Sequence, residues 1–335
     1  MNGEIKQPVI EVKNLKKYFK VKNKGMLHAV DGVSFSVRPG ETLGLVGESG
    51  CGKSTVGNVI MRLHQATDGQ VLFKGTNILT SRGKESMEFR KKIQIIFQDP
   101  YSSLNPKKTI SGIMEEAYKI HHLCSGAEMK KQIAHLIELC GLEPYLLEKY
   151  PHELDGGKRQ LVGIARALSL GPEFIVCDEP VSSLDVSIQA TIINLLMDLQ
   201  KKMNLSFLFI SHDLSVVRHI SQRVAVMYLG QIIEMADTDD IFSDARHPYT
   251  IALLSAVPKI DFSHQSSRIV LNGDVPSPIN PGEGCRFAPR CFMCKEICKT
   301  QKPELKEVGP GHCVACHFYE QSRTVAEQIE NKIQN

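Results

Sequence analysis

Residues 47 to 54, Gly47-Glu-Ser-Gly-Cys-Gly-Lys-Ser54, fit the pattern G-x-x-x-x-G-K-[ST]. That spacing suits one task, gripping a polyphosphate. Glycines let the backbone curl until successive N–H groups face phosphate oxygens, and the helix that follows adds the positive end of its dipole. Gly47, Ser49, Gly50, Cys51, Gly52 and Thr55 are the expected wall of that curl. Lys53 would reach the β- and γ-phosphates and Ser54 would ligate Mg²⁺. A second stretch, FIVCDE, is an apolar run ending in Asp178 and Glu179. Asp178 is expected to hold Mg²⁺, directly or through water, and Glu179 to polarise an attacking water as general base. The pair of motifs predicts a phosphate-binding site with Mg²⁺ and a water-activating carboxylate.

Strands and helices must bring these residues to one place. ETLGLVG (41 to 47), KIQIIFQ (92 to 98), EFIVCDE (173 to 179) and LSFLFIS (205 to 211) read as strands too apolar to have a wet face, as buried parallel strands do. RVAVMYLGQIIEM (223 to 235), with Gly230 inside it, predicts a hairpin near a sheet edge. The stretch between Gln98 and Glu173 is helical in pattern, with a capping box expected at Ser125 and Glu128. Residues 187 to 203 form an amphipathic helix with Ile188, Ile192, Leu195, Leu196 and Leu199 on one face. Past about residue 245 the spacing breaks down into a proline-set segment and a cluster of cysteines.

Bulk properties narrow the class. Of 335 residues, 40 are basic and 37 acidic, a net charge of +3. That balance lacks the basic excess of a nucleic-acid binder, so no nucleic-acid partner is expected. No signal-peptide layout and no apolar run long enough to span a bilayer is present, so any membrane role is expected to come through a partner. Six of the ten cysteines fall at 285, 291, 294, 298, 313 and 316, a clustering that suggests ligation of a metal. Cys291-x₂-Cys294 and Cys313-x₂-Cys316 have zinc-ribbon spacing, which suits tetrahedral Zn²⁺.

The motifs also come in a telling order. The phosphate loop is followed by Gln98 at a strand end, an L-x-G-G-x helix start at Leu154, the Asp178-Glu179 pair, Ser182-Ser-Leu-Asp185, and Ser211-His212-Asp213. That order resembles the ATP-binding subunit of ABC transporters. FQDPYSSLNP (97 to 106), RHPYTIALLSAVP (246 to 258) and the proline–cysteine tail narrow the resemblance to the ATPase subunits of oligopeptide and dipeptide importers. The resemblance implies an α/β fold of P-loop NTPase type in its ABC form. Its parts would be a mixed sheet core with an antiparallel β edge, a helical subdomain inserted at about 105–172, and a small irregular Cys-rich extension. The ATP-binding domain would then run from 1 to 245 and the extension from 246 to 335.

Further roles follow from the resemblance. Tyr18 would stack on adenine, with Phe19 as the substitute. Gln98 would sense Mg²⁺ and contact the membrane subunits, His212 would contact the γ-phosphate, and Asp185 would lie at a dimer seam. Cys285, Cys291, Cys298 and Cys316 are the positions matched to a [4Fe–4S] cluster, against the zinc set read from spacing. The implied partners are a homologous second ATP-binding subunit, two transmembrane permease subunits and, indirectly, an extracellular substrate-binding protein. The implied place is the cytoplasmic face of the cell membrane. A nickel or other small-solute importer, and a regulatory subunit with little turnover, are the alternatives. A soluble ATPase acting on DNA or ribosomes would call for coiled-coil insertions or a second ATPase domain, and the sequence shows neither.

One pentapeptide departs from the family pattern. Relatives carry LSGGQ, contributed across a dimer interface to the γ-phosphate of the facing chain; here it is Leu154-Asp155-Gly156-Gly157-Lys158. Asp caps a helix as well as Ser does, so the fold is expected to survive. An anion facing a phosphate is expected to impair the facing site. The sequence therefore predicts an asymmetric heterodimer, in which one site hydrolyses ATP and the other holds it or turns it over poorly.

Overall fold

A computed structural model describes residues 7–257 and 269–334. Among the described residues twelve strands form two sheets. An antiparallel sheet of order β2-β1-β4-β5 comprises β1 (Ile10–Val21), β2 (Gly25–Val37), β4 (Asp68–Phe73) and β5 (Thr76–Asn77). The main sheet holds β3 (Thr42–Val46), β6 (Ile93–Ile96), β7 (Phe174–Asp178), β8 (Ser206–Ser211), β9 (Arg223–Tyr228), β10 (Gln231–Asp237), β11 (Lys306–Gly309) and β12 (His312–Val314). Its order is β11-β12-β10-β9-β3-β8-β7-β6, parallel from β9 to β6 and antiparallel beyond.

The four expected apolar strands are there, each trimmed by one or two residues at its ends. Every residue of β3, β7 and β8 is buried, because helices or the second sheet cover both faces. Phe207 and Phe209 on β8 and Phe174 on β7 have no exposed surface. At about 1.5–3 kcal/mol for each such side chain, this layer fixes the strand order that the site depends on.

Between β6 and β7 the chain is helical, with helices Ile110–His121, Gly126–Leu139 and Gly156–Leu168 joined by short 3₁₀ turns. The capping box at Ser125 is absent: Ser125 makes no side-chain cap, and Glu128 instead accepts from Gln132 Nε2 one turn on, at 2.9 Å. The helix Val186–Met203 buries Ile192, Leu196 and Leu199 as expected, and Ile193 as well, while Ile188 and Leu195 are half-buried.

The hairpin β9–β10 lies near the sheet edge, as expected. Beyond it the C-terminal extension adds β12 against β10 and β11 against β12. The extension is thus more regular than its prolines predict, and its Tyr249 and Phe287 join the same apolar core as β8 and β9. Among the described residues no helix is long and apolar enough to cross a membrane.

Candidate functional site

The phosphate loop leaves β3 and opens the helix Lys53–Ile60. Its curl requires glycine at position 52: φ is +107°, and a Cβ there would come within 2.0 Å of the Ala29 carbonyl oxygen. Lys53 is 4% exposed, and its ammonium donates to the Gly47 carbonyl at 2.8 Å and the Glu48 carbonyl at 3.0 Å. A buried cation held by the loop's own carbonyls stands where phosphate oxygens could take their place.

The C-terminal ends of the parallel strands bring the rest together, as expected for an open α/β sheet. Asp178 ends β7 and accepts from the Ser54 hydroxyl at 2.7 Å. Burial raises the Asp178 carboxyl, the Ser54 hydrogen bond partly offsets this, and the neighbouring Glu179 charge adds to it. A carboxylate that is costly to keep charged, beside a hydroxyl oxygen, is a fitting seat for a hard cation such as Mg²⁺. Among the described residues no three His, Cys, Asp or Glu side chains gather for a metal ion. Mg²⁺ does not require that, since it commonly takes one or two protein oxygens together with waters and phosphate oxygens.

Glu179 follows with φ at +47°, the left-handed region that a non-glycine residue occupies only when its surroundings force it. Its Oε2 accepts from Gln98 Nε2 at 3.1 Å and lies 3.2 Å from His212 Nδ1. Three residues from three different strand ends thus meet on one oxygen. Around them a cleft of about 560 Å³ is lined by Ser49 to Thr55, Gln98, Glu179 and His212.

At the far end of the cleft the wall is formed by Phe19, Leu27, His28 and Pro278. Tyr18 lies behind His28: its hydroxyl donates to Asp31 and its ring stacks on His28 at 4.0 Å. Burial, then the Asp31 hydrogen bond, raises the phenol. The β1–β2 register shifts between Lys17 and Tyr18, and a bulge of that kind resets which alternate side chain faces inward.

Comparison with known proteins matches this geometry. The family model for ABC transporters matches residues 30–182, and that for the C-terminal region of oligopeptide/dipeptide transporters matches 233–298. The chain is 51% identical over 328 residues to the oligopeptide transport ATP-binding protein AppF of Bacillus subtilis, covering 95% of this chain and all of that one. The chain belongs to the ATP-binding subunits of oligopeptide and dipeptide ABC transporters. It is also 47% identical to the dipeptide transport ATP-binding protein DppF of Haemophilus influenzae, over 94% of this chain and 99% of that one. Among solved structures it resembles the dimeric ATP-binding cassette MJ0796 bound to ADP and Pi. The TM-score there is 0.62 at 28% identity, over 68% of this chain and 98% of that one. Like other ABC cassettes, the chain is an ATPase of α/β, P-loop type.

In this ABC subunit the variant signature is well formed as a helix start. Asp155 is the N-cap of the helix Gly156–Leu168, and its Oδ1 accepts from the Lys158 N–H at 2.8 Å. Oδ2 lies 3.8 Å from the Lys158 ammonium, and the Asp155 side chain is 60% exposed. A Cβ on Gly157 would meet Ile188 at 2.9 Å, which explains a glycine there by close helix packing. Asp185 caps the neighbouring helix Val186–Met203 without a side-chain hydrogen bond, and Val186 beside it is 81% exposed. Neither Asp155 nor Asp185 is among the residues that line this chain's own cleft.

Cys285, Cys291, Cys298 and Cys316 line one small pocket with His247, Phe287 and Phe318. Cys294 and Cys313 do not line that pocket. Among the described residues no three His, Cys, Asp or Glu side chains are gathered closely enough to hold a metal ion, in this set or in the zinc-ribbon set. Burial pushes the Cys291 thiol up to about 12 and Cys316 to about 11, and raises Cys285. The Phe318 N–H donates to Cys316 Sγ at 3.4 Å.

Several cleft and loop contacts have no local sign in the sequence. Pro278 reaches the cleft from the extension, Tyr249 Oη accepts from the Glu48 N–H at 2.9 Å, and Arg290 pairs with the Glu48 carboxylate. All three are long-range contacts that no spacing within a motif encodes.

Proposed function

We propose that this ATPase powers the import of oligopeptides or dipeptides, as one of two different ATP-binding subunits on the cytoplasmic face of a membrane transporter. Two permease subunits form the path, and an extracellular binding protein delivers the cargo. The observation that carries the reading is the match of residues 233–298 to the extension of peptide transporters, in a chain whose relatives are named for peptide transport along nearly its whole length.

Within its own cleft the chain binds ATP with the triphosphate along residues 47 to 55 and the adenine against Phe19. Lys53 exchanges its carbonyl partners for phosphate oxygens. Ser54, Asp178 and the Gln98 amide oxygen are the oxygens that would hold Mg²⁺, which supplies charge neutralisation at the β- and γ-phosphates. Glu179 takes the proton of the attacking water, and His212, set against Glu179, contacts the γ-phosphate. Catalysis is then mostly positioning and electrostatics. The facing site combines the partner's phosphate loop with Asp155, Gly156, Gly157 and Lys158 of this chain, and turns over slowly. Asp185 and the exposed Val186 lie on the seam. Purification of the tagged chain from solubilised membranes should bring down a different ATP-binding chain with a serine in its signature, and two membrane-spanning chains. Recovery of this chain only with copies of itself would contradict the pairing.

The four pocket thiols are proposed to hold a [4Fe–4S] cluster. Their number, their shared pocket and the Phe318 N–H on Cys316 Sγ support it, since four cysteine thiolates are the usual ligands of such a cluster and hydrogen bonds to them tune it. Anaerobically purified protein should absorb near 400 nm, and Cys316→Ser should remove the band. A colourless natural protein without iron would contradict the assignment.

A further inference from the structure

Glu48, the second residue of the phosphate loop, has all three of its polar groups engaged. Its N–H donates to Tyr249 Oη at 2.9 Å, and its carbonyl accepts from the Lys53 ammonium at 3.0 Å. Its carboxylate accepts from Arg290 Nη1 at 2.9 and 3.2 Å. Two of these anchors, Tyr249 and Arg290, belong to the C-terminal extension. They are rigidly placed. Tyr249 is fully buried within an aromatic cluster with Tyr228 and Phe287, and the Arg290 side chain is only 10% exposed.

The chemistry of the site makes this pairing more than a strut. A loop built to receive a polyanion carries a carboxylate at its entrance, 27% exposed and next to Ser49, which lines the cleft. An unpaired carboxylate there would repel phosphate through a partly desolvated medium, where charges act more strongly than in water. We propose that Arg290 is a positioning residue for ATP. It cancels the Glu48 charge and, with Tyr249, fixes the first turn of the phosphate loop, so that the cysteine-rich extension sets the affinity of the cassette for the nucleotide's phosphates. The turn that carries Arg290 also carries Cys291, which ties the pocket of thiols to the phosphate loop through adjacent residues. This inference rests on the reading of the cleft as an ATP site.

The test compares Mg-ATP and Mg-ADP binding by the full-length natural chain, Arg290→Met, Glu48→Gln and the double variant, at low and high salt. Arg290→Met should weaken Mg-ATP binding by about tenfold, weaken Mg-ADP less, and lose part of its effect at high salt as the charge is screened. Adding Glu48→Gln should restore most of the loss, because it removes the charge that Arg290 cancelled. Glu48→Gln alone should bind Mg-ATP at least as tightly as the natural chain. Unchanged affinity in Arg290→Met, or a loss that Glu48→Gln leaves in place, would overturn the proposal. If Arg290→Met does not fold, Glu48→Gln alone decides, and weaker Mg-ATP binding would count against it. A natural chain that binds no Mg-ATP would instead overturn the nucleotide reading itself, and this inference with it.

Discussion

Glu179→Gln is expected to lower steady-state Mg-ATP hydrolysis by about a hundredfold or more while leaving nucleotide binding intact. The loss follows from general-base catalysis, which contributes about 10²–10⁴-fold where a positioned carboxylate takes a proton from the nucleophile. Glutamine keeps the shape and can still meet Gln98 and His212, which now share Glu179 Oε2 at 3.1 and 3.2 Å. It cannot accept the proton. The left-handed backbone at Glu179 is held by β7 and by its N–H bond to the Ile210 carbonyl at 3.0 Å, so the substitution should not move the site. Binding and hydrolysis measured on the same preparation separate the outcomes. A variant that hydrolyses ATP at the natural rate would remove Glu179 from the mechanism, and one that no longer binds would place its role in the loop.

Asp155→Ser/Lys158→Gln is expected to raise hydrolysis by the isolated chain about tenfold or more. Two unit charges about 4 Å apart at an effective dielectric near 20 repel by about 4 kcal/mol, an upper figure for a side chain as exposed as Asp155. The Lys158 ammonium at 3.8 Å offsets part of it. A third of that repulsion already corresponds to tenfold in rate or affinity. Serine would keep the helix cap and restore a donor toward the facing phosphate. The helix itself should be indifferent to the change, since Asp155 serves it as an ordinary cap.

The parts of the site legible in the sequence are those written within one turn or one strand. The phosphate loop needs glycines and a lysine at fixed spacing, and Asp178 and Glu179 follow an apolar run that can only be a buried strand. Parallel packing then places the ends of β3, β6, β7 and β8 side by side, which brings Ser54, Gln98, Glu179 and His212 together without further information. The wall at the far end of the cleft was less legible, because the β1–β2 register shifts next to Tyr18 and Phe19 and no local spacing encodes that shift. The regular part of the extension was hidden for another reason. β11 and β12 are four and three residues long and are held by pairing, β12 with β10 and β11 with β12, rather than by their own periodicity. The cysteine spacing left two ligand sets open because sequence spacing says nothing of which way each thiol turns; Cys285, Cys291, Cys298 and Cys316 line one pocket, and no closely gathered metal-binding group occurs among the described residues.

The most direct measurement is Mg-ATP hydrolysis by the purified chain alone, beside its Asp155→Ser/Lys158→Gln variant, under conditions where both form dimers. A dimer of the natural chain presents the variant signature at both sites, so little turnover is expected from it and a clear gain from the repaired form. Equal and robust hydrolysis in both would mean that the aspartate is a tolerated helix cap, and the asymmetric pairing would fall.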